Sequence, residues 1–126
     1  MRISSILLAA SATLLSAVPA FAHPKLVSAT PAADAVVASP TNLKLTFSET
    51  LVSQFSGAEL AMTDMPGMKM NAPMKMGGLK ASVTSDGMSL VVMLAKPLPK
   101  GTYKLTYHVV STDTHRVEGG YSFKVK

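Results

Sequence analysis

The sequence predicts an all-β domain, a Greek-key β-sandwich or barrel of about seven short strands. Three observations predict it. Apolar residues alternate with polar ones in several stretches, turn-forming residues separate those stretches, and nothing after residue 22 keeps a helical period over three turns.

The first 22 residues stand apart. MRISSILLAASATLLSAVPAFA has one basic residue, Arg2, an apolar run from Ile6 to Val18, then Pro19 and Ala20-Phe21-Ala22. This is the pattern of a secretory signal peptide cut after Ala22. The apolar run is short and alanine-rich, whereas a bilayer span needs about 20 apolar residues. The expected domains are therefore a leader, 1–22, and a mature β domain, 23–126. The exported chain is expected in the periplasm, soluble and not embedded in a membrane.

Strand signals follow in order. Leu43, Leu45 and Phe47 alternate with Lys44, Thr46 and Ser48. Tyr103, Leu105, Tyr107 and Val109 alternate with Lys104, Thr106 and His108, and Tyr121, Phe123 and Val125 alternate with Ser122 and Lys124. Such alternation buries one face of a strand. Further strands are expected over 26–28, 58–62, 79–83 and 88–94. Thr30-Pro31, Ser39-Pro40-Thr41-Asn42, Ser85-Asp86-Gly87 and Pro97-Leu98-Pro99-Lys100-Gly101 punctuate them.

Composition removes whole classes of function. The 126 residues include no cysteine and no tryptophan. That excludes a disulfide scaffold, thiolate zinc, an iron–sulfur cluster and a blue-copper centre, all of which need cysteine sulfur. The formal charge of +5 falls by one with Arg2, and the lysines are scattered. No basic stripe suited to phosphates forms, so no nucleic-acid role is expected.

One segment breaks the strand pattern. Met62, Met65, Met68, Met70, Met74 and Met76 are six of the eight methionines that follow the leader. Pro66, Gly67, Pro73, Gly77 and Gly78 interrupt regular structure there. Core methionines would follow the period of their element; these sit among lysines, prolines and glycines. Thioether sulfur is a neutral, soft donor that favours Cu(I) and needs no deprotonation. Several sulfurs on a loop can converge on such an ion.

A second constellation depends on processing. Cleavage after Ala22 would give His23 a free α-amine beside its imidazole, two nitrogen donors suited to Cu(II). Pro24 has no amide hydrogen, so the next backbone nitrogen cannot join them. Asp113 and His115, two apart and on one side if extended, offer a carboxylate and a second imidazole. Together they form an N3O set. Glu49, at a strand end, is a candidate outer carboxylate, and His108 falls on the outward parity of its strand. Ser111, Asp113 and His115 lie too close in one segment for a hydrolase triad, and no oxyanion motif accompanies them. No enzymatic activity is expected.

His23-Pro-Lys-Leu-Val-Ser, the stretch from Phe47-Ser-Glu-Thr to Gly57-Ala58, Met62-Thr-Asp-Met65-Pro-Gly-Met68, Gly101-Thr-Tyr and Val110-Ser-Thr-Asp-Thr-His115 resemble the CopC/PcoC family of periplasmic copper-resistance proteins. The resemblance spans essentially the whole mature chain. It implies a cupredoxin-like barrel of immunoglobulin-like topology, with copper sites at opposite ends. The Cu(II) site would use His23, Asp113 and His115, with Glu49 nearby. The Cu(I) site would use Met62, Met65, Met68 and the later loop methionines. Met70 stands where some members carry a histidine, which implies an all-thioether Cu(I) site. The family implies a copper carrier, or metallochaperone, serving a CopD-like membrane copper transporter and a multicopper oxidase. Two other readings are an oxidative copper enzyme built on the N-terminal histidine and a metal-free immunoglobulin-like contact module. The first lacks an aromatic platform for a substrate, with seven aromatic residues in the chain.

Overall fold

The computed structural model describes residues 23–126; the leader expected over 1–22 lies outside them. Among the described residues nine strands form two sheets: β1 (Leu26–Thr30), β2 (Val36–Val37), β3 (Asn42–Phe47), β4 (Gly57–Asp64), β5 (Met74–Lys75), β6 (Leu79–Val83), β7 (Ser89–Leu94), β8 (Gly101–Val110) and β9 (Arg116–Val125). One sheet has the order β1-β3-β7-β6 and the other β2-β9-β8-β4-β5. Pairing is antiparallel except for β2 beside β9. The fold is the expected β-sandwich.

Alternation explains the core. Leu43, Leu45 and Phe47 of β3, Leu90 and Val92 of β7, Leu60 and Met62 of β4, Tyr103, Leu105 and Val109 of β8, and Phe123 and Val125 of β9 are buried between the sheets. Each such side chain contributes about 1.5–3 kcal/mol when removed from water. Tyr103 stacks on Phe123, and Phe47 meets Tyr107 edge to face. The edges of the larger sheet are only two residues long, which limits pairing with other chains.

The methionine segment departs from the expectation of a loop without strand pattern. Its first residues, Met62 to Asp64, extend β4, and Met74–Lys75 return as β5, pairing with Met62 and Ala61. The strands are short because Pro66, Gly67 and Pro73 confine pairing to the two ends. The strand expected from residue 121 begins earlier, at Arg116.

β8 places the two candidate regions. Its first residues lie beside Asp64, where the methionine segment leaves the sheet, and its last lead into residues 111–115. Ten residues of strand separate the ends by about 30 Å at about 3.3 Å per residue.

Candidate functional site

The histidine end is assembled from three segments. Pro24 is fully buried and anchors the chain immediately after exposed His23. The Lys25 N–H donates to Ser48 Oγ at 2.9 Å, and the Ser48 N–H donates to the Lys25 carbonyl at 2.9 Å. These bonds fasten the first described residues to the end of β3. Glu49 follows Ser48, and the carbonyl of the next residue, Thr50, accepts from the Thr112 N–H at 2.9 Å. Glu49 therefore stands between the N-terminal segment and the β8–β9 connection.

That connection is a tight hairpin rather than an extended stretch. The Thr114 N–H donates to the Ser111 carbonyl at 2.9 Å, and the Ser111 N–H donates to the His115 carbonyl at 3.0 Å. A turn followed by one left-handed residue is a common three-residue hairpin loop, and Thr114 has φ 74°. The backbone turn, not strand alternation, brings Asp113 and His115 together. His115 Nδ1 lies 3.1 Å from Asp113 Oδ2.

His23 completes the group. Its imidazole meets that of His115 with ring centroids 4.7 Å apart and planes at 60°. The buried Ser111 hydroxyl donates to the Asp113 carboxylate. This bond, followed by the bonds and charge of His115, holds the Asp113 carboxyl below its ordinary range. The donors are thus adjacent, an arrangement suited to a borderline cation once the carboxylate is ionised. Among the described residues, however, no three His, Asp or Glu side chains already converge as a finished cage.

The methionine end divides its sulfurs by exposure. Met65-Pro66-Gly67-Met68 is a turn, with the Met68 N–H on the Met65 carbonyl at 3.1 Å and Gly67 at φ 77°. Proline followed by glycine at its centre suits a type II turn. Met68 and Met74 are exposed, at 63% and 51%. Met65, Met70 and Met76 are half-buried and lean on the core. Met62 differs from the other five because its side chain is 1% exposed and forms part of the core. Its alternation with Leu60 carried this information, but the methionine cluster obscured it.

The neighbouring charges also fall into place. Lys75 Nζ pairs with Glu59 Oε1 at 3.1 Å, which draws one of the loop's positive charges aside. An apolar groove of about 530 Å³ runs beside Met76, between Gly78 and the Pro97–Pro99 stretch. His108 is half-buried on the outer sheet face, its ring lying across Gly57. Met88, a sulfur the sequence reading did not single out, is at the histidine end, where Thr50 Oγ1 is 3.7 Å from its Sδ. Its distance from the methionine cluster in sequence concealed that position.

Comparison with known proteins agrees with this architecture. The CopC domain family matches residues 26–126. Copper resistance protein C of Xanthomonas campestris pv. juglandis is 51% identical over 115 residues, covering 91% of this chain and 89% of its own. Copper resistance protein C of Pseudomonas syringae pv. tomato is 49% identical, covering 99% of this chain and 97% of its own. The crystal structure of PcoC, a methionine-rich copper resistance protein from Escherichia coli, superposes with a TM-score of 0.74 at 44% identity. That match covers 83% of this chain and 100% of PcoC.

Proposed function

The chain belongs to the CopC family, and on that premise we propose that it is a periplasmic copper carrier acting in copper resistance and homeostasis. In the full chain the His23 nitrogen is a peptide nitrogen; removal of the leader after Ala22 makes it an amine. The amine and imidazole of His23, the imidazole of His115 and the carboxylate of Asp113 then hold Cu(II), with Glu49 close to them in the chain fold. The exposed and half-buried methionines of the β4–β5 connection hold Cu(I). The protein stores and passes the ion and catalyses no reaction on it.

The observation that carries this reading is the meeting of His23 with His115, 4.7 Å between ring centroids, while His115 is bonded to Asp113. Soft sulfur at the other end supports a second, separate site. With about 30 Å between them, the two sites load independently, and oxidation state selects the occupied one. A membrane copper transporter and a multicopper oxidase are the partners this carrier would serve.

The test compares the mature chain, starting at His23, with a version carrying one extra N-terminal residue. Electron paramagnetic resonance follows Cu(II), and competition with a Cu(I) chelator follows the sulfurs. The extension is expected to abolish tight Cu(II) binding and spare Cu(I). Failure of the mature chain to bind either ion stoichiometrically would refute the proposal.

A further inference from the structure

Thr114 is a β-branched residue in the left-handed region, with φ 74°. A non-glycine residue there is uncommon, and a branched one is an outlier because its Cβ crowds the backbone. The third residue of a three-residue hairpin loop is ordinarily glycine, whose missing Cβ removes the crowding. The conformation persists because the surrounding bonds specify it. Ser111 bonds the hairpin at both its N–H and its carbonyl, and Thr112 is tied across to Thr50. Strain of this kind collects where a site is preformed.

We infer that Thr114 is a positioning residue of the Cu(II) site: its left-handed backbone, not its side chain, turns His115 back upon Asp113 and toward His23. The His115 carbonyl returns to the Ser111 N–H only because the chain reverses at residue 114. The same reversal sets His115 Nδ1 at 3.1 Å from Asp113 Oδ2. The Thr114 side chain is exposed, so its removal uncovers no core. This inference rests on the copper reading above for its ligand, but the geometry can be tested without metal.

The experiment uses four variants of the mature protein: Thr114→Gly, Thr114→Asn, Thr114→Val and Thr114→Pro. Glycine and asparagine accept the left-handed region, so both are expected to raise the melting temperature of the metal-free protein, glycine by less because it also loosens the unfolded chain. Both should hold Cu(II) affinity within about threefold of the parent, with unchanged paramagnetic resonance spectra. Valine keeps the branching without the hydroxyl and should match the parent. Proline fixes φ near −65° and removes the Thr114 N–H, so it should lower Cu(II) affinity at least about tenfold while Cu(I) affinity stays unchanged.

Imidazole nitrogen NMR shifts of metal-free His115 should be parent-like in the first three variants and displaced in the proline variant. Parent-like Cu(II) binding by the proline variant, glycine and asparagine variants that melt no higher than the parent, or lost affinity in the valine variant would overturn the inference. If the proline variant does not fold, the melting order and the His115 shifts of the other three decide the matter. A parent that binds no Cu(II) defeats the copper reading, whereas the metal-free melting order and His115 shifts still judge the backbone role of Thr114.

Discussion

The imidazole of His23 meets that of His115 at 4.7 Å between ring centroids, joining the first described residue to the β8–β9 hairpin. The contact exists because buried Pro24 fixes one side and the Ser111–His115 hydrogen bonds fix the other. Exposed His23 thereby becomes one wall of a defined site.

Ser111 holds the carboxylate of that site in its ionised form. Its hydroxyl is the leading cause of the lowered Asp113 pKa, so the carboxylate stays ionised to a lower pH than an ordinary aspartate. A depressed pKa stabilises the fold above the ordinary value, and that contribution is lost as pH falls through the depressed one. Ser111→Ala is expected to raise the Asp113 pKa of the metal-free protein toward the ordinary aspartate value and leave Cu(I) binding unchanged. A carboxyl-carbon NMR titration of Asp113 in the metal-free protein checks this; an unmoved midpoint would show that the Ser111 hydroxyl does not hold the carboxylate.

Most of the sandwich was legible because inward residues of β3, β8 and the second half of β9, from Tyr121 on, alternate without interruption. The two-residue strand β2 was not, since two residues cannot display a period and its parallel partner β9 is remote in sequence. The early half of β9 was hidden by Gly119-Gly120, which carry no side chain to continue the alternation. At the site, the residue types at 23, 113 and 115 were readable as donors. Their grouping was expected too, from an extended D-x-H segment; the hairpin that makes it was not legible, because it depends on the conformation of Thr114 and the burial of Pro24 and Ser111.

Met62 separates packing from binding. Its side chain lies among the core residues, and its terminal methyl is 3.5 Å from where a Cβ on Gly101 would sit. Met62→Ala is expected to destabilise by about 2–5 kcal/mol. Met62→Leu should cost less than about 1.5 kcal/mol and retain Cu(I) affinity. Paired Met65→Leu and Met68→Leu should do the reverse, weakening Cu(I) with little loss of stability. Denaturant melts beside chelator competition provide the comparison, and loss of Cu(I) affinity in Met62→Leu would return this sulfur to the ligand set.

Gly101 lets the methionine segment leave β4 close to the start of β8. A Cβ there would lie 2.5 Å from the Asp64 carbonyl oxygen, a backbone atom that cannot swing aside. Overpacking of this kind costs about 1–3 kcal/mol. Gly101→Ala is therefore expected to lower the melting temperature by about 4–8 °C for each kcal/mol in a domain of this size. It should also weaken Cu(I) binding more than Cu(II) binding, because the displaced backbone is at the methionine end. Equal weakening at both sites would indicate that the whole sandwich, rather than this junction, has yielded.

The Tyr121 hydroxyl is buried and has no hydrogen-bond partner among the described residues. Burial, with a smaller effect from Tyr107, pushes its pKa up to about 12 from an ordinary 10. Removing an unsatisfied polar atom discards a desolvation penalty and breaks no bond, so Tyr121→Phe should melt at or above the parent temperature. The alkaline behaviour has a definite sign. Because the folded phenol holds its proton more tightly, its contribution to stability is fully present below the unfolded pKa. It is lost as pH rises through the folded one. Thermal melts between about pH 9 and 12 should therefore fall less steeply for Tyr121→Phe than for the parent. A variant that melts lower at neutral pH by more than about 1 kcal/mol would show that the hydroxyl has a bound-water partner whose bonds are worth keeping.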